Sequence, residues 1–149
     1  MQAVETIEAK IRRLFEATVP FNQVLGLRVE STEPDAPKLR FDMRPELIGN
    51  PRRQILHGGV ISAVLDVVAG FAVHLAVARQ KSEEATVGHF PSIGTIDLRV
   101  DYLRPGRGNY FIATGRVVRL GNRVAVAHME LVNDSGELIA TGGAAYMVG

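Results

Sequence analysis

Apolar and polar positions alternate along this chain with two different periods, and the change from one to the other divides it. Val4, Ile7, Ile11, Leu14 and Phe15 recur at helical spacing, which predicts an amphipathic helix over residues 3–18 that Pro20 closes. From Gly26 onward the period falls to two. LGLRVES and KLRFDMR predict two strands separated by the breaker-rich TEPDAP, and PELIGNPRRQI reads as a polar loop punctuated by prolines. From Gly58 to Gln80 the chain is apolar on nearly every side, the pattern of a helix surrounded by protein. QKSEEATVGHFPS then predicts a long mobile loop.

After that loop only strands follow. TIDLRVDYLRP places Ile96, Leu98, Val100 and Tyr102 on one face and Thr95, Asp97, Arg99 and Asp101 on the other, before a turn at PGRGN. YFIATGRVVRL and RVAVAHMELV are joined by Gly121-Asn122, a two-residue hairpin connection, and NDSG leads into ELIATGGAAYMV. The order β-β-α-β-β-β-β behind a leading helix predicts a single α+β domain over residues 1–149, one long antiparallel sheet wrapped around one central helix.

Composition narrows the function classes. The 149 residues suffice for one domain with a real core, and a net charge of +1 from 17 basic and 16 acidic residues argues against nucleic-acid binding by bulk charge. The absence of cysteine removes disulfides and thiolate chemistry, and MQAVETIEAKIRR lacks the apolar core of a signal peptide, so a cytoplasmic location is expected. Val60 to Ala78 has nearly the length of a membrane span but carries Asp66 and His74 and is rich in Ala and Gly; no span is expected. His74, His89 and His128 are scattered without ligand spacing, so no metal is expected.

The unusual residue is Asp66, set among Val64, Leu65, Val67 and Val68. A carboxylate there must be paired or used. LHGGVISAVLD, followed by TIDLRVDYLRP and then by VVRLGNRVAVAHMELVNDSGELIATG, resembles the hotdog-fold acyl-CoA thioesterase superfamily, in the branch of the phenylacetate-degradation thioesterases. The resemblance runs from about residue 25 to 148 and leaves the leading helix as an addition. It implies the hotdog fold, an obligate homodimer sometimes paired into a tetramer, and hydrolysis of acyl-CoA thioesters without a metal or a cofactor beyond the coenzyme A of the substrate.

Spacing tests this physically. Helix residues nine apart differ by about 900° and by ~13 Å along the axis, so His57 and Asp66 of one chain cannot serve one reacting carbon. Two long helices side by side would bring His57, Gly58 and Gly59 of one near Asp66 of the other, which makes sense of the aspartate only in a dimer with two shared sites. Gly58, with Gly59 in support, would polarise the thioester carbonyl through free N–H groups at the helix start. Asp66 would be the general base that activates water or a nucleophile forming an anhydride. The resemblance further implies a water-holding hydroxyl at Thr95, whose strand phase requires a bulge to aim it. It also implies a role for Asn50, although the gap from Asn50 to His57 is one residue longer than in the family pattern, and an orienting role for His57.

For the coenzyme A phosphates, Arg104, Arg107, Arg119 and Arg123 stand at strand ends beside Gly106, Gly108 and Gly121, with Arg52 and Arg53 as alternatives. Surface arginines are more often simply solvated. The plain readings are an ordinary loop-to-helix junction at His-Gly-Gly and a structural carboxylate at Asp66. Ser62 lacks the elbow motif of a nucleophile and belongs to the packing. A non-catalytic acyl-CoA binder is the alternative function, and a hotdog hydratase a weaker third. Phe71, Phe90 and the small residues at helix positions 69, 70 and 72 are expected to line an acyl pocket for a medium or long chain.

Overall fold

The computed structural model describes residues 4–80 and 92–149. Helix α1 (Ile7–Arg13) starts where the Thr6 hydroxyl accepts the Ala9 N–H at 3.1 Å, and passes into one π-helical turn, Leu14–Thr18. The expected helix over residues 3–18 thus begins later than its periodicity. Pro20 does not end the helical region but opens α2 (Pro20–Leu25) as its first residue, where its missing N–H would have had no partner anyway, and Gly26 closes that helix at φ 72°. Asn22 donates from Nδ2 to the Phe15 carbonyl at 3.1 Å, and Glu16 accepts the Val29 N–H at 2.7 Å, which ties both helices to the first strand.

The main sheet is antiparallel and contains β1 (Arg28–Ser31), β2 (Lys38–Asp42), β5 (Gly94–Tyr102), β6 (Tyr110–Leu120), β7 (Val124–Asn133) and β8 (Leu138–Met147), in the spatial order β1-β2-β6-β7-β8-β5. Gly121, Asn122 and Arg123, three residues and not two, join β6 to β7, with Gly121 donating to the Val124 carbonyl at 2.9 Å. The segment read as a plain loop before the long helix holds a 3₁₀ turn (Pro45–Leu47) and a two-stranded ribbon, β3 (Ile48–Asn50) with β4 (Ile55–Leu56). The expected mobile loop, with His89 and Phe90, lies largely outside the described residues.

Helix α3 (Gly58–Gln80) lies across the sheet and is the centre of the core. Val64, Leu65, Val68, Phe71, Val73 and Leu75 are fully buried, as are Phe41 and Phe111, which stack at 5.2 Å beneath it. Burial of each such side chain contributes about 1.5–3 kcal/mol. Helix and sheet touch through their backbones at Gly115, where a methyl group would come 2.6 Å from the Val68 carbonyl oxygen. α3 is long and apolar enough to cross a membrane, but 67% of its apolar stretch is buried within the fold, which is why it is apolar all round.

Phe71 is buried edge-on against Phe15, and the small residues Ala69, Gly70 and Ala72 are covered by the fold. Tyr146 lies over Gly70, where a methyl group would touch its ring at 3.5 Å. The positions expected to leave room for an acyl chain instead admit close packing within the chain.

His74 is 8% exposed, stands edge-on to Phe15 at 5.1 Å and donates from Nδ1 to the Gly70 carbonyl at 2.7 Å. Burial pushes its pKa below the ordinary 6.5, against the smaller upward pull of that hydrogen bond. Below pH 6.5 the unfolded chain therefore binds a proton that the folded chain resists, and stability falls as the pH drops. Urea unfolding midpoints measured from pH 8 to pH 5 should show that decline, and His74→Phe, which keeps a ring against Phe15, should flatten it.

Candidate active site

The start of α3 is held by the loop before it. His57 donates its N–H to the Leu47 carbonyl at 2.8 Å, Leu56 donates to the Gly106 carbonyl at 3.0 Å, and Gly49 lies so close that a methyl group there would meet His57 Cα at 2.6 Å. Asn50 Oδ1 accepts the N–H groups of Arg52 and Arg53, both at 3.2 Å, so this side chain shapes the turn that carries Gln54 at φ 53°.

His57 caps the helix, with Nδ1 accepting the Gly59 N–H at 2.8 Å. Tyr102, at the far end of β5, donates its hydroxyl to the Gly58 carbonyl at 2.9 Å. The peptide between Gly58 and Gly59 is thus fixed at both ends. The Gly59 N–H is therefore occupied within the chain, and the half-buried Gly58 keeps the N–H that no described group accepts.

Asp66 lies two turns further along, half-buried where α3 passes β5 and β8. Thr95 Oγ1 donates to its Oδ1 at 2.8 Å, and the Tyr146 hydroxyl stands 2.5 Å from both Oδ1 and the Asp66 main-chain oxygen. Thr95 reaches it through a β-bulge. The pairing of β5 with β8 slips between Thr95 and Asp97, which turns Thr95 to the helix side and leaves Ile96 53% exposed. The Ala145 N–H beside the bulge is taken by Asp97 Oδ1 at 3.0 Å. Tyr146 is 3% exposed, and burial first, then the hydrogen bond and charge of Asp66, raise its pKa far above the ordinary 10. It stays protonated and acts as a donor.

Gly58 and Asp66 do not meet in one chain. Eight residues of helix separate them by about 12 Å along the axis and ~80° around it. The arginines divide as well. Arg104 and Arg107 lie where β5 leads to β6, with Arg104 donating to the Leu138 carbonyl at 2.8 Å, whereas Arg119, Gly121 and Arg123 lie at the opposite end of the sheet. The four candidates do not form one cluster, because the 11 residues of β6 that separate the two ends extend about 33 Å. Two surface cavities of about 520 and 470 Å³ border on Arg116, and neither is lined by Asp66, Thr95 or Gly58. Among the described residues no group of three His, Asp or Glu side chains is placed to hold a metal.

Tyr146 and Tyr102 are the site residues that sequence reasoning missed. The available signal was chemical: an inward-facing tyrosine in a core strand needs a polar partner for its hydroxyl, and Asp66 is the one carboxylate of the long helix.

Comparison with known proteins identifies the family. A family model described as the thioesterase superfamily matches residues 53–140. The chain is 46% identical over 155 aligned positions to the medium/long-chain acyl-CoA thioesterase YigI of Salmonella typhimurium and 44% identical to that of Escherichia coli, with the whole of each chain covered. The leading segment, outside the family model, is thus covered by the alignment with these relatives. A crystal structure from Shewanella oneidensis, related to the thioesterase superfamily, superposes with a TM-score of 0.90 at 44% identity, covering 98% of this chain and 100% of that one. The chain belongs to the thioesterase superfamily and carries its hotdog fold.

Proposed function

We propose that this protein is an acyl-CoA thioesterase that hydrolyses medium- or long-chain acyl-CoA to the carboxylic acid and free coenzyme A. It works as a homodimer whose two sites each combine Asp66 of one chain with the Gly58 N–H of the other. The observation that carries this reading is the split geometry: a carboxylate with one oxygen uncommitted, and an uncommitted N–H at a helix start, too far apart to act together within one chain. β5 supports it, since it ends the sheet and exposes Tyr102 at 55%, with Leu103 just beyond it at 49%, an apolar edge suited to a second copy.

In such a site the thioester oxygen lies at the Gly58 N–H, where the helix dipole favours the charge that develops on attack. Asp66 either draws a proton from the attacking water or attacks the carbonyl itself and forms an anhydride that water opens. The C–S bond breaks, and the thiol leaves with a proton. Arginines at both ends of the sheet give either end of the cleft cations for the coenzyme A phosphates. The chain-length preference follows from the overall likeness to the relatives named medium/long-chain acyl-CoA thioesterase.

Thiol release measured across an acyl-CoA series from acetyl to palmitoyl tests the reading. The expected result is a kcat/KM that peaks at medium or long chains. Tight acyl-CoA binding without thiol release would instead identify a non-catalytic binder.

A further inference from the structure

The two hydroxyls at Asp66 do not share its oxygens evenly. Thr95 Oγ1 at 2.8 Å and the Tyr146 hydroxyl at 2.5 Å both lie on Oδ1, while Oδ2 accepts no hydrogen bond among the described residues. With two donors on Oδ1, the carboxylate cannot turn about its Cβ–Cγ bond without losing both. We propose that Tyr146 is a positioning residue which, with Thr95, fixes Oδ1 and so assigns Oδ2 as the oxygen that reacts. The proposal rests on Asp66 being the reacting carboxylate.

The fold supplies the means. β8 carries Tyr146 inward opposite Ala125 of β7 and Thr95 of β5, so both donors sit on adjacent, paired strands. The phenol also lies 2.5 Å from the Asp66 main-chain oxygen, and its ring rests over Gly70, one turn along the helix. Its single O–H is thus shared between the main-chain oxygen and Oδ1 of the same residue. Burial holds the proton on the phenol, so Tyr146 remains a donor to the carboxylate.

Other ionisable groups near the carboxylate are engaged elsewhere. Asp97, next but one along β5, holds the Ala145 N–H through Oδ1, and His74, two turns along α3, donates to the Gly70 carbonyl. The partners that face Asp66 are Tyr146 from β8 and Thr95 from β5.

The test compares Tyr146→Phe, Thr95→Val, the double variant and Asp66→Asn by steady-state thiol release, with kcat and KM read separately, and by urea unfolding. Tyr146→Phe should lower kcat about ten-fold and leave KM within about two-fold. The double variant should lose more than the product of the two single losses, since in each single variant the remaining donor still holds Oδ1. A role limited to packing would shift the unfolding midpoint and leave kcat in place. Wild-type kcat in Tyr146→Phe, beside an inactive Asp66→Asn, would overturn the positioning role while leaving Asp66 in the reaction. An active Asp66→Asn would overturn both.

Discussion

Asp66→Asn is expected to lower kcat/KM for thiol release by at least about 10²-fold, with the fold and the oligomeric state unchanged. The substitution nearly preserves shape, and the amide oxygen of asparagine can still accept from Thr95 and Tyr146 as Oδ1 does. What it removes is the uncommitted, charged oxygen. The unfolding free energy should therefore stay within about 1 kcal/mol of wild type, because both hydrogen bonds to the sheet survive. Full activity in a folded Asp66→Asn protein would show that this carboxylate only braces the helix against β5 and β8.

The second large effect is expected at Gly58, whose N–H can be deleted with little else. Gly58 is the first residue of α3, a position that suits proline, and its φ lies outside the left-handed region. A side-chain carbon there would lie 3.4 Å from the Tyr102 ring, close but tolerable for a ring at an exposed end of a strand. The His57 cap on the Gly59 N–H would remain. Gly58→Pro should therefore fold, bind substrate with a similar KM and lose about 10²- to 10³-fold in kcat, the cost of one missing donor at a developing oxyanion. A Gly58→Pro enzyme of normal rate would place carbonyl polarisation elsewhere.

The parts of this protein legible in its sequence are those governed by one dominant force. α3 was legible because a helix apolar all round, yet carrying Asp66 and His74, is one enclosed by protein, and its bounds, 58–80, are those of the apolar run. The strands after Gly94 were legible through their alternation. The misreadings arose where one residue type serves two purposes. Pro20 stops one helical stretch and starts another, and the ribbon of residues 48–56 is too short and polar to show a period. Ala and Gly in α3 read as open space, whereas they let the sheet and Tyr146 come close.

The site shows the same division. Asp66 stood out because its neighbours are apolar, and Thr95 could be placed beside it only by supposing the bulge that β5 contains between Thr95 and Asp97. Tyr146 alternates with Ala144 and Val148 as a core residue does, so its hydroxyl carried no periodic signal. The arginines were chosen as strand-end cations beside glycine turns, and successive strand ends in an antiparallel sheet lie on opposite sides of the molecule.

The claim on which the mechanism depends is that each site joins the carboxylate of one copy to the helix start of another. Mixing Asp66→Asn and Gly58→Pro proteins, each inactive alone, and letting their subunits exchange tests it directly. Random pairing makes half the dimers mixed, and each mixed dimer holds one intact site out of two, so thiol release should return to about a quarter of the wild-type rate. A mixture that stays as inactive as its components, although mass spectrometry shows that the subunits have exchanged, would contradict it.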